Sequence, residues 1–179
     1  MTEKDKKHIP APECSTEDYL QKCISFLHEI GIETRFEKLE ESCFLPGLSI
    51  RNGTIIIDKE ALSYPGDILH EAGHIAIVPA CERLSLAASA IEKREHREAE
   101  EMMAIAWSYA ACVHLCLDPY VVFHNNGYKG GGSYIADNFG SKNYFGLPML
   151  QWKGMAADEK NALRLNVAAY PHMIRWMHD

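Results

Sequence analysis

The chain has 179 residues, a length that suits one domain with a substantial hydrophobic core. It carries 18 Lys and Arg against 25 Asp and Glu, a formal net charge of -7. This acidic balance argues against nucleic acid or an anionic membrane as the main partner. The longest apolar run is shorter than the ~18 residues that span a bilayer, so we expect no transmembrane helix.

The first 14 residues are polar and charged, without the apolar stretch of a secretory signal. We interpret residues 1–14 as a flexible arm and residues 15–179 as a single domain. The six cysteines contain no CxxC pair and are too sparse for a disulfide scaffold. This cysteine usage is typical of a reducing compartment, and we therefore expect a cytoplasmic protein.

The first predicted elements are a helix and a hairpin. Ser15 or Thr16 can cap a helix that ends before Gly31, with apolar residues at helical spacing along it. Residues 48–51 and 54–57 are rich in β-formers and flank Asn-Gly, which is typical of a two-residue hairpin turn. Residues 34–36 are a further candidate strand.

A motif with chemistry follows the hairpin. We predict a helix that Asp67 caps and that Pro79 ends. Within it lies His70-Glu71-Ala72-Gly73-His74, an HExxH pattern. Residues i and i+4 share a helix face, so the two imidazoles can reach one zinc ion. Glu71 can act as the general base that takes a proton from water and passes it to the leaving group.

A catalytic zinc site needs a third protein ligand and leaves the fourth position to water. A metzincin-type third histidine would require Gly at position 77 and His at position 80, where this chain has Ile77 and Ala80. The alternative is a glutamate on the next long helix. We predict that this helix begins between Ala90 and Arg94, continues to about Leu117 and is buried.

Three acids near the start of that helix are candidates for the third ligand. Glu101 is our first choice because it is the last acid before a buried segment, where zinc would offset the cost of burying a carboxylate. It also begins a stripe of mostly small residues that suits close packing against Gly73. The stripe consists of Ala104, Ile105, Ser108, Ala111, Cys112 and Leu115. Glu100, which could instead hold a histidine ring nitrogen, is second and Glu98 is third.

The pattern weakens beyond Pro119. We expect helical segments near 120–124, 133–139 and 160–169. Between the first two lies a glycine-rich loop that contains His124 and Tyr128. Either side chain could stabilise the oxyanion of a tetrahedral intermediate, and the glycines suit a mobile lid. We include both residues among the candidate catalytic residues.

The HExxH helix with Glu101 on the following helix resembles the gluzincin group of zincin metallopeptidases, above all the compact cytoplasmic ImmA/IrrE-type proteins. In that pattern the ligand glutamate is followed by a small residue and then an aromatic residue, and Glu101, Ala104 and Trp107 match it. The resemblance covers roughly residues 48–118. The chain is also similar to small bacterial proteins of unassigned function that share HEAGH and an EEM-x-AIAWSYA helix.

The resemblance implies an α+β fold with a zincin-like core. A small β-hairpin sheet would precede the HExxH helix, and a long buried helix and a mostly helical C-terminal part would follow. It implies a zinc-dependent hydrolase, most simply a metallopeptidase, with one zinc per chain held by His70, His74 and Glu101. In such folds an exposed strand before the motif helix holds an extended peptide, which places the substrate along Ile55 to Asp58.

Two other functions stay open at the level of sequence. The chain could be a non-catalytic regulatory or interaction module that keeps the fold and the metal, or a hydrolase of non-peptide amides. The fourth metal position separates the first of these from an enzyme, because an enzyme leaves it open to water. A site with two histidines and one glutamate also accepts divalent ions other than zinc.

Overall fold

A computed structural model describes residues 15–39, 45–91 and 93–179 of the chain, and the arm predicted over residues 1–14 lies outside them. The fold is α+β, as the sequence predicts, with one small sheet among helices. In chain order the elements are α1 (Thr16–Glu29), β1 (Thr34–Phe36), β2 (Leu48–Arg51), β3 (Thr54–Ile57), α2 (Asp67–Ala76), α3 (Ala80–Arg83), α4 (Ala88–Ile91), α5 (Arg97–His114), α6 (Gly132–Gly140), α7 (Leu147–Trp152) and α8 (Glu159–Leu165). Two short 3-10 helices lie at Pro119–Val121 and Tyr128–Gly130.

Helix α1 begins at a reciprocal cap. The Ser15 hydroxyl accepts a hydrogen bond from the backbone N–H of Asp18 at 3.2 Å, and the Asp18 carboxylate accepts one from the backbone N–H of Ser15 at 3.1 Å. Two N–H groups that the first helical turn leaves unpaired are thereby satisfied. The buried face of α1 joins the main core, and its residues are Leu20, Cys23, Ile24, Phe26 and Leu27. The predicted helix is confirmed.

The sheet has the strand order β1-β3-β2, with β1 parallel and β2 antiparallel to β3. The predicted hairpin is confirmed, and Asn52 and Gly53 both adopt positive φ (53° and 70°) at its turn. Strand β3 is central and therefore has a partner strand on each side. The interpretation of Ile55 to Asp58 as an exposed strand that receives a peptide is wrong, because those backbone groups already bind β1 and β2.

Helices α2 and α5 make the most extensive contact between elements in the described part of the chain. A Cβ added to Gly73 would lie 2.9 Å from the Ala104 carbonyl oxygen, closer than side chains allow. Ser108 extends this contact, since its hydroxyl donates to the Ala104 carbonyl of its own helix at 2.6 Å and lies 3.3 Å from the Leu69 carbonyl oxygen of α2. The small residues along one face of α5 let it pass directly over Gly73, as the sequence predicts.

Helix α5 is shorter than the predicted helix at both ends. Residues 88–91 form the separate helix α4, and the turn before α5 carries Arg94, which bridges α3 and α5 through Glu82 and Glu100. At the other end Cys116 adopts a φ of 54°, so the helix stops at His114. A residue in this left-handed conformation cannot continue a right-handed helix.

All regular elements of the C-terminal third are helices, as predicted, but turns and loops make up more than half of it and the helix boundaries differ from the predicted ones. Helix α6 matches the prediction for 133–139, whereas the segment 120–124 contains only a 3-10 turn and helix α7 was not predicted. Helix α8 stops at Leu165 because Asn166 adopts a φ of 56°. The last residues return to the core, where the Trp176 carbonyl accepts a 2.8 Å hydrogen bond from the Trp107 indole.

Among the described residues, no helix combines the length and the apolar character that a bilayer crossing requires.

Candidate metal centre

Helix α2 presents both motif histidines on one face. His70 and His74 are four residues apart, so one helical turn brings their rings together with centroids 4.7 Å apart. The two Nε2 atoms face each other at 3.1 Å. Because α5 packs directly on Gly73, an acidic side chain near the start of α5 can reach the same point.

That acidic side chain is Glu101. Its Oε1 lies 3.5 Å from His70 Nε2 and its Oε2 lies 3.3 Å from His74 Nε2. The two imidazole nitrogens and the Glu101 carboxylate thus converge, with one carboxylate oxygen facing each ring, and their ligand atoms all lie within 4.8 Å of one another. Zinc bound tetrahedrally at ~2.0–2.1 Å from each ligand would place the ligand atoms about 3.3–3.4 Å apart. The spacing of the donor set therefore fits a shared cation of this size.

The polar atoms of this cluster are crowded. Each imidazole Nε2 faces both the other ring, at 3.1 Å, and its own Glu101 oxygen, at 3.3 or 3.5 Å. A single cation between them would contact all three side chains at once. His70 Nδ1 is also buried without a hydrogen-bond partner among the described residues, which departs from the usual support of a metal-binding histidine.

The site has three members of the ligand-forming residue types, and no fourth His, Cys, Asp or Glu among residues 15–39, 45–91 and 93–179 joins them. The histidine side chains are nearly buried, with 12% exposure for His70 and 7% for His74, whereas Glu101 is 42% exposed. The cluster therefore faces solvent on its Glu101 side. Catalytic zinc sites have three protein ligands and leave one position open, whereas structural zinc sites have four protein ligands.

The protonation states of two members suit a metal. Burial lowers the pKa of His70 to about 4, so this ring is neutral at pH 7. Burial of Glu101 would raise the pKa of its carboxyl, but the hydrogen bond with His74 and the attraction to both rings outweigh it and lower the pKa to about 2. His74 differs: burial lowers its pKa, but Glu101 and Glu71 outweigh that effect and raise it. A metal would compete with that proton.

Glu71 follows His70 directly and lies near the same cluster. Burial raises the pKa of its carboxyl to about 7, with the negative charges of Asp67 and Glu101 adding to the rise and His74 opposing it. A general base acts best when its pKa lies near the working pH. The environment of Glu71 therefore suits proton transfer at neutral pH.

The other two acids near the start of α5 lie elsewhere. Glu100 accepts a 2.6 Å hydrogen bond from Arg94, which also binds Glu82 at 2.8 Å. Its carboxylate is thus held at the α3 side of α5 rather than against a histidine ring nitrogen. Glu98 is exposed. Of the three candidates, the structure brings only Glu101 to the histidines.

A loop after α5, residues 124–132, lies against this cluster, and we call it the cover loop. Its Tyr128 ring packs edge-on against the His70 ring with centroids 5.4 Å apart. The Tyr128 hydroxyl is buried and has no hydrogen-bond partner in the part of the chain that the structure describes. Burial and the charges of Asp67, Glu101 and Glu71 raise the Tyr128 pKa well above its usual value, so the hydroxyl is a hydrogen-bond donor at pH 7.

His124 lies at the start of the cover loop, and both of its ring nitrogens have partners. Nε2 lies 2.9 Å from an Asp67 carboxylate oxygen, and Nδ1 accepts a 3.1 Å hydrogen bond from the Gly127 backbone N–H. Asp67 is the first residue of α2. The N-cap residue of α2 is Gly66, and no side chain caps this helix end with a hydrogen bond. The predicted N-cap role of Asp67 is therefore wrong, because its carboxylate binds His124 instead.

Sequence reasoning missed three residues near the site: Tyr64, Asp67 in its role beside His124, and Arg94. Tyr64 stacks on the His124 ring with centroids 3.8 Å apart. Each of these contacts joins segments that are distant in the sequence or lie outside regular elements, so neither periodicity nor motif spacing could indicate it. The only local indication is the position of Tyr64 just before Pro65-Gly66-Asp67, and this alone does not predict a contact with His124.

Comparison of the chain with protein-family models, with curated proteins and with solved structures finds no match. The case for a function therefore depends on the chemistry of the site itself.

Proposed function

We propose that the chain is a zinc-dependent hydrolase that cleaves peptide bonds. The observation that carries the proposal is the convergence of His70 Nε2, His74 Nε2 and the Glu101 carboxylate, with contacts of 3.1–3.5 Å, beside the half-buried Glu71. In this proposal the two histidines and Glu101 hold one zinc ion. Peptide is the proposed substrate because of the gluzincin-like pattern of the motif.

In the proposed reaction, the metal, Glu71 and Tyr128 have different roles. When bound, zinc supplies a Lewis acid that polarises a carbonyl group and acidifies water. Glu71 removes a proton from the attacking water and later delivers it to the leaving nitrogen. Tyr128 donates its otherwise unpartnered hydroxyl to the oxygen of the tetrahedral intermediate.

Two features favour an enzyme over a binding module. The cluster has three ligand-type side chains within the described residues, which leaves a position for water or substrate. The Glu101 side chain is 42% exposed, so this edge of the cluster lies at the protein surface. A module that used zinc only for structure would need a fourth ligand, and neighbouring side chains such as Glu100 are engaged elsewhere.

The test is zinc content together with cleavage by wild type and Glu71→Gln. We expect about one zinc per chain in both proteins. Wild type should cleave a mixed library of unstructured peptides, with new termini identified by mass spectrometry. Glu71→Gln should lower turnover by about 100-fold to 10,000-fold, the range for loss of a general base. Glu98→Gln is the matched control, because Glu98 is exposed and lies one turn before Glu101 on α5.

Zinc-loaded wild type that cleaves no peptide would overturn the peptidase and leave the non-catalytic module or a hydrolase of non-peptide amides. Full turnover in Glu71→Gln would remove Glu71 as the base. Stoichiometric zinc in Glu101→Ala would move the third ligand elsewhere on α5.

A further inference from the structure

The cover loop is tied to the segment ahead of α2 by contacts that centre on His124. The ring stacks on Tyr64 at a 13° interplanar angle, and its Nε2 meets Asp67. Asn126, two residues further on, donates from its side-chain amide to the Tyr64 hydroxyl. The loop that carries Tyr128 is therefore attached to the chain just before His70, on the same side of α2 as the metal cluster.

The partners of His124 define its protonation. A backbone N–H can only donate, so the Nδ1 atom that receives the Gly127 N–H carries no proton. The ring proton must then be on Nε2, which donates it to Asp67. Both nitrogens of a neutral imidazole are thus used within the protein. The ring has no donor left for a substrate oxyanion.

The position of Tyr128 depends on these contacts. Gly127, which His124 holds, immediately precedes Tyr128, and a Cβ at Gly127 would lie 3.2 Å from the His124 ring. Tyr128 and Lys129 both adopt left-handed backbone conformations, with φ of 52° and 55°. Such conformations are unfavourable for residues other than glycine and persist only where neighbouring contacts impose them.

We propose that His124 is a positioning residue: it holds the cover loop to Asp67 and Tyr64 and so keeps the Tyr128 ring against His70, beside the metal cluster. The inference rests on the proposed function only for its kinetic consequence. The structural part, that His124 orders the loop, is independent of any activity. His124 then acts on the reaction through Tyr128 and not by touching substrate.

The first test measures the order of the loop by amide hydrogen exchange in the full-length, zinc-loaded protein. His124→Leu keeps bulk but removes both hydrogen bonds, and we expect exchange in residues 125–131 to rise by about tenfold to a hundredfold. His124→Gln can still donate to Asp67 and should restore most of the protection. His172→Leu, at an exposed histidine, is the matched control. Zinc content should stay at one per chain in all three variants.

The second test is a double-mutant cycle on turnover. His124→Leu and Tyr128→Phe should each lower kcat, and the double variant should be no slower than Tyr128→Phe alone, because both remove the same donor. His124→Gln should recover much of the rate. Losses that multiply would show that His124 acts on substrate directly and would overturn the proposal.

The two proposals fail in different ways. Unchanged loop exchange in His124→Leu overturns the positioning role of His124, whatever the activity. A wild type that binds zinc and cleaves nothing overturns the hydrolase, while the exchange experiment still decides whether His124 orders the loop.

Discussion

The two sides of the candidate site are held in place by different kinds of contact. On one side, helices α2 and α5 hold the three ligand-type residues, and we call this pair the ligand platform. Its backbones meet at Gly73 and Ala104 so closely that no side chain fits between them. On the other side, the cover loop has little regular structure and is held by polar contacts around His124.

This difference determines how firmly each side of the site holds its residues in place. Packed helices resist small displacements because interiors are as dense as molecular crystals, so the platform fixes ligand atoms to within fractions of an ångström. The cover loop depends on a few hydrogen bonds and includes two residues in left-handed conformations. Local opening is easiest where such contacts are few. Changes in the platform should therefore affect zinc, whereas changes in the cover loop should affect turnover.

The largest expected effect comes from removing a platform ligand. His74→Ala should abolish zinc-dependent stabilisation, because His74 supplies one of the three converging ligand-type side chains. In wild type, free zinc at 100 times its Kd should raise the free energy of unfolding by ~2.7 kcal/mol, and in the variant by close to nothing. Thermal melts with and without zinc measure this. His172→Ala is the control, and equal zinc shifts in both variants would contradict the platform.

The second effect tests the close approach of the two helices. Gly73→Ala places a methyl group 2.9 Å from the Ala104 carbonyl oxygen and should reduce the free energy of unfolding by about 1–3 kcal/mol, despite alanine's better helix propensity. Urea unfolding of the zinc-free protein measures it. The matched control is Gly140→Ala in α6, where an added Cβ meets nothing within 4 Å. A Gly73→Ala protein as stable as its control would show that α5 does not press on α2.

The same contrast explains what the sequence could predict. Helical spacing places His70 and His74 on one face, and the small residues after Glu101 indicate a helix that can approach Gly73. The meeting of these three side chains therefore follows from local pattern, and their role as zinc ligands stays a prediction. The pairing of Glu100 with Arg94 does not follow, because it depends on a turn between α4 and α5 that interrupts the predicted helix.

Contacts between distant segments could not be predicted in the same way. Strand β3 matches its predicted bounds, but its central place depends on parallel pairing with β1, and periodicity carries no information on which strand lies beside which. His124 was recognised as a candidate from its loop, yet its partner Asp67 is 57 residues away. The contacts of the cover loop could therefore be identified only in the folded chain.

The third prediction separates stability from function within the cover loop. Tyr128→Phe removes a buried hydroxyl that has no partner among the described residues, and an unpaired buried donor costs about 1–3 kcal/mol. The zinc-free variant should therefore be more stable than wild type, by about 1 kcal/mol in urea unfolding, while the loaded variant turns over more slowly. A loss of stability instead would mean that the hydroxyl has a partner and is not held ready for substrate.

The smallest expected effect concerns the backbone beside that hydroxyl. Lys129 is exposed and adopts a φ of 55°, so its side chain adds conformational strain without a packing role. Lys129→Gly removes a steric cost of about 1–2 kcal/mol, and the greater freedom of glycine in the unfolded chain returns part of it. We expect a net gain of about 0.5 kcal/mol with zinc content unchanged. Lys142, also exposed and at a φ of 64°, provides the comparison outside the cover loop. Lys142→Gly also removes an ion pair with exposed Glu159 at 3.2 Å, but exposed pairs of this kind contribute little, so we expect a similar gain. If only Lys129→Gly lost stability, the Lys129 side chain would make a stabilising contact in the folded protein. The cover loop would then be held by more than the contacts around His124, and its contrast with the ligand platform would be weaker.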